Sequence, residues 1–82
     1  MTEEDFLTEI NAQIERAKLQ GRPHVEINAG ELHRLVGGYP VDHRMPTCCE
    51  AMRKAMIRSA DIFIHKPEKG NGASLTVRYI FT

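Results

Sequence analysis

Residues 27–58 constrain the fold more than any other part of this chain. They hold two sets of apolar residues at helical spacing, separated by Gly37-Gly38-Tyr39-Pro40, so neither helix can run on into the other. The first opens on Ile27-Asn28-Ala29-Gly30-Glu31-Leu32. Asn28 can cap it, Glu31 can reach back to close a capping box, and Ile27 can staple onto Leu32. The spacing predicts packing through Leu32, Leu35 and Val36 and a stop at the glycine pair. The second helix is expected over 46–58. At about 100° per residue, Met45, Cys48, Cys49, Met52, Ala55 and Met56 share one side and should be buried. Thr47, Glu50, Ala51, Lys54 and Arg58 face away, with Arg53 on the flank.

Upstream, Phe6, Ile10, Ile14 and Ala17 recur at helical spacing with Leu7 alongside, and Thr2 can cap that helix. Gly21 and Pro23 end it, and His24-Val25-Glu26-Ile27 alternates as a short strand does. Downstream, 61–66 carries Ile62, Phe63 and Ile64. Residues 75–81 alternate Leu75, Val77, Tyr79 and Phe81 with Thr76, Arg78 and Ile80. Between them, Gly70 and Asn71-Gly72 offer positions for positive φ, which suits a hairpin. The expected fold class is α+β, in the order α-β-α-α-β-β, with a small three-stranded antiparallel sheet and one domain over 1–82. There is no internal repeat or low-complexity tract.

A chain of 82 residues has room for one modest core and little interior for an enclosed substrate cavity, so neither an enzyme nor a cofactor is expected. Hydrophobic and charged fractions of 41% and 27% are those of a soluble globular protein. No apolar run approaches the roughly 20 residues that span a bilayer, so no membrane partner is expected. Glu3, Glu4 and Asp5 at the start are unlike a signal peptide, which makes the cytoplasm the expected location. Adjacent Cys48 and Cys49 point in different directions on a helix, so reduced thiols are expected, as in that compartment. The formal net charge is zero but unevenly spread. Residues 1–31 carry seven acids against three bases, a net of −4, and residues 32–82 carry eight bases against four acids, a net of +4. A molecule with a basic side can still bind phosphate through it.

The order of elements resembles the winged helix-turn-helix superfamily over essentially the whole chain. The 39–44 turn is longer than the three or four residues, or about that, of the simplest helix-turn-helix, as in many winged variants. The segment Ala29-Gly30-Glu31-Leu32-His33-Arg34, followed by His43-Arg44-Met45-Pro46-x-Cys48-Cys49-x-Ala51-Met52, also resembles a small bacterial module that pairs two such segments. Some similar sequences sit near nucleases or restriction-type genes. The superfamily resemblance implies a small duplex DNA-binding protein, in form a transcriptional regulator, that reads DNA with residues around 47–58. Lys54 and Arg58 would meet phosphate or guanine edges, Thr47 and Glu50 would reach bases, and Arg44 would clamp the backbone. Lys66, Lys69 and the Gly70-Asn71-Gly72 tip would form the wing. Such domains often dimerise to gain a second half-site, and the first helix is the natural homodimer surface if Phe6 and Leu7 are exposed. The competing expectation is a winged helix that contacts a protein partner instead of DNA.

Each of these residues also has a plainer reading. A polar helix face is what any surface helix needs, and a Lys-bearing hairpin loop is an ordinary solvated turn. Glu50 can accept from cytosine, or can complete a capping box with Thr47 and repel phosphate. Arg78 can add positive charge to the sheet or pair with a neighbouring acid. His33, His43, Cys48 and Cys49 raise zinc, but their spacing is irregular and adjacent cysteines do not converge, so core packing is the better account and no metal is expected. A nucleophilic cysteine with His43 as its base lacks a visible third group or oxyanion site.

Overall fold

Thr2 starts the first helix through a closed capping box. Its hydroxyl accepts from the Asp5 N–H at 3.3 Å, and the Asp5 carboxylate accepts from the Thr2 N–H at 2.8 Å. Helix α1 (Glu3–Leu19) then buries Phe6, Ile10, Ile14 and Ala17 along one side. It ends before Gly21, whose φ of 74° lets the chain reverse into the first strand. The computed structural model describes residues 2–37 and 44–81. Strand β1 (His24–Asn28) passes straight into α2 (Ala29–Val36), because Asn28 closes the strand and caps the helix, accepting from the Glu31 N–H at 3.1 Å. Helix α3 (Met45–Lys54) follows, then β2 (Ile62–His65) and β3 (Thr76–Ile80).

The sheet is antiparallel in the order β1-β3-β2. Val77 sits between Ile27 and Phe63, and these positions turn towards the helices, while Arg78 sits between Glu26 and Ile62 on the outer side. All three helices contribute to one core with β1 and β3, built around Phe6, Ile10, Ile14, Leu32, Met52, Leu75, Val77 and Tyr79. The expected α+β class and the order of elements are therefore present. No helix among the described residues is long and apolar enough to cross a membrane.

Several local expectations need correction. Helix α3 ends at Lys54, short of Arg58. Past it the chain turns through Met56 N–H to the Arg53 carbonyl and Asp61 N–H to the Arg58 carbonyl, and the Asp61 carboxylate accepts from the Arg58 N–H at 3.2 Å, which draws the chain round into β2. Leu35 is 67% exposed, because the short α2 turns Ala29, Gly30, Leu32 and His33 inward and leaves Leu35 off that arc. Ala51 is fully buried, not outward, because α3 packs against both α1 and α2 and its inner arc is wider than one stripe. Met56 is only half-buried. In the hairpin, Gly70 takes positive φ (88°) and Gly72 does not. Phe6 is fully buried, so it offers nothing to a second copy, and Leu7 is half-buried.

Candidate nucleic-acid interface

Helix α3 is set in place by its inner side. Cys48 donates to the Ala29 carbonyl at 3.5 Å, at the start of α2, and Tyr79 donates from its hydroxyl to the Met52 carbonyl at 2.9 Å. The Arg44 N–H donates to His33 Nε2 at 2.8 Å, which fixes the start of α3 on α2 although no side chain caps the helix. These contacts leave Arg44, Pro46, Glu50 and Lys54 exposed, with Thr47 and Arg53 half-buried beside them.

The hairpin loop is tied to the same helix. Cys49 donates to the Gly72 carbonyl at 3.6 Å, and the Arg53 guanidinium donates to the Gly70 carbonyl at 3.4 Å and to Glu50 at 2.9 Å. The loop's own turn is held by Gly70 N–H to the Pro67 carbonyl at 2.9 Å. Its root is fastened to α2 by Ala29 N–H to Leu75 O and Gly30 N–H to Ala73 O, at 2.8 and 2.9 Å. Helix face and loop tip are thus one assembled surface. The expected Thr47–Glu50 capping box is not formed: Arg44 is the N-cap, and Glu50 pairs with Arg53.

The expected site residues fall into three groups. Arg44, Thr47, Glu50 and Lys54 lie on α3 or at its start, with Lys54 bonded to Glu3 of α1 at 2.9 Å. That carboxylate raises the Lys54 ammonium above its ordinary range, chiefly through the hydrogen bond and then through charge attraction. Lys66 and Lys69 lie on the hairpin loop, Lys66 with its ammonium 4.9 Å from the centre of the Phe63 ring and Lys69 exposed. Arg58 stands apart from both. It lies beyond α3, pairs at 3.1 Å with Asp61, whose side chain is fully buried, and braces the turn into β2. Arg53 belongs to the surface, although the helical wheel puts it only on the flank. Its tie to Gly70 joins residues 17 apart and leaves no local sequence signal. Arg78 pairs with Glu26 across the sheet, as the plainer reading has it.

Burial pushes the Cys48 thiol up from 9.0 to about 12, with neighbouring Cys49 adding to the effect, and raises Cys49 as well. A thiol so disposed is protonated at neutral pH and is a poor nucleophile. Among the described residues no three His, Cys, Asp or Glu side chains come together as metal ligands; His43 lies outside the described residues. An open groove of 460 Å³ between α1, β1 and α2 shares no residue with the α3 surface, and its Gln13 and Arg16 both donate to the Glu9 carboxylate. No protein-family model matches the chain, and neither does any curated protein or solved structure.

Proposed function

We propose that this chain is a non-catalytic DNA-binding domain of winged-helix form, with the outer face of α3 as the reading surface and the hairpin loop as the wing. The observation that carries the reading is the joining of the two by Arg53 to Gly70 and Cys49 to Gly72, which presents Arg44, Lys54 and Lys69 on elements held together. The strand order, with β3 between β1 and β2, supports it. Glu50 is held by Arg53, so Thr47 is the better candidate to reach a base. Arg58 is assigned to the scaffold.

The test is a salt titration of binding to random duplex DNA. If Arg44, Lys54, Lys66 and Lys69 each meet one phosphate, log K should fall against log salt with a slope no steeper than about −3.6. A Lys54→Glu/Lys69→Glu variant should lose binding and remain folded. So few contacts make a lone copy a weak binder, and two copies on one duplex would raise affinity without new contacts. A second reading, protein contact, is favoured by Ile57, Ile62 and Ile64, which are 79%, 44% and 43% exposed around the edge strand β2. No duplex binding by folded protein at low salt selects it.

A further inference from the structure

Glu3 and Lys54 lie 51 residues apart in the chain, yet the Glu3 carboxylate sits 2.9 Å from the Lys54 ammonium. Lys54 is the exposed cation at the C-terminal end of the α3 face, and Glu3 belongs to the acidic first turn of α1, where the helix dipole favours a carboxylate. We propose that Glu3 is a built-in competitor for the phosphate backbone: it occupies the Lys54 ammonium in the free protein and must be displaced before Lys54 can bind nucleic acid. This rests on the DNA-binding reading above and adds its regulation.

The charge balance makes the consequence specific. With Glu3 on Lys54, approach of a phosphate exchanges one anionic partner for another and leaves a carboxylate beside a polyanion. The gain from that lysine is therefore largely cancelled, and it contributes little to the salt dependence. Glu3→Gln removes the competitor. Glu4→Gln changes the net charge equally and also sits in the first turn of α1, but Glu4 is exposed and bonds to neither Lys54 nor any other α3 side chain. The pair of variants separates a local mask from a general shift in charge.

The experiment measures affinity of the full chain for a random duplex across a salt series, for the unaltered protein, Glu3→Gln, Glu4→Gln and Glu3→Gln/Lys54→Gln. The expected result is a roughly two- to fivefold tightening with Glu3→Gln, the range an exposed ion pair spans, and a salt slope steeper by about 0.9, one added phosphate contact. Glu4→Gln should change affinity much less, and adding Lys54→Gln should abolish the gain. Equal effects of Glu3→Gln and Glu4→Gln, or a gain that survives loss of Lys54, would overturn the mask while leaving DNA binding intact. Absence of binding by all four folded proteins would overturn both.

Discussion

Asp61 and Arg58 show how much a residue's role depends on where its partner lies. The Asp61 carboxylate accepts from the Arg58 N–H, the Arg58 guanidinium and the Ile80 N–H at 3.2, 3.1 and 2.8 Å, with its side chain fully buried. Asp61→Asn keeps the shape but loses the charge and half of the accepting capacity, so it should cost about 2–3 kcal/mol in urea denaturation, the worth of hydrogen bonds to a buried charge. Glu26→Gln removes an ion pair that is more than a third exposed on the Glu26 side and should cost less than about 1 kcal/mol. Equal costs would mean that Asp61 is not the brace described. The buried thiol gives a pH signature. Cys48 titrates near 9 in the unfolded chain and near 12 when folded, so above about pH 9 the unfolded state sheds a proton that the folded state keeps. Stability from this group is fully present below pH 9 and falls as pH rises towards 12, by at most about 1.4 kcal/mol per pH unit. Urea denaturation between pH 7 and roughly 10.5 should show a decline that is shallower in Cys48→Ala.

At the scale of elements, what could be read in the sequence is what is decided within three or four residues. Thr2 with Asp5 and Asn28 with the Glu31 N–H are such local signals, and both helices start where they indicate. The alternation over residues 75–81 likewise predicts the inward set, since Leu75, Val77 and Tyr79 are buried and Phe81, partly buried, packs against the core. The end of α3 is decided elsewhere. Asp61, fixed by Ile80 across the sheet, turns the chain before the helical pattern in the sequence runs out. The sequence pattern misplaces Leu35 and Ala51 for a related reason: a helical wheel gives one apolar side, whereas short α2 and doubly packed α3 take their inner arcs from their neighbours. The joint between helix and hairpin was equally hidden, because Arg53–Gly70 and Cys49–Gly72 span turns of unpredictable course. Gly30 offers a test of how firmly the hairpin is rooted. A Cβ there would lie 3.2 Å from both the Cβ and the carbonyl oxygen of Ala73, whose backbone is bonded to the Gly30 N–H. The loop root has little freedom to retreat, so Gly30→Ala should destabilise by about 1–2 kcal/mol despite the better helix propensity of alanine. A thermal melt that rises instead would show the root to be yielding.

For the whole molecule, neutrality of the total conceals a polarised chain in which opposite charges meet across the fold. Lys54 with Glu3 and Arg78 with Glu26 are contacts between the basic and acidic parts of the sequence, and each neutralises a cation of the basic part. Exposed pairs contribute little to stability, whereas phosphate contacts respond steeply to salt. The two consequences separate cleanly on one axis. Raising salt from about 0.05 to 1 M should change the unfolding free energy by less than about 1 kcal/mol, because screening acts on the exposed pairs and the apolar core and the buried Asp61 brace are largely indifferent to it. Over the same range duplex binding should vanish. Urea curves and binding isotherms on the same samples check this directly. Loss of fold in parallel with loss of binding would mean that surface ion pairs hold the domain together, and the salt slope would then report unfolding instead of phosphate release.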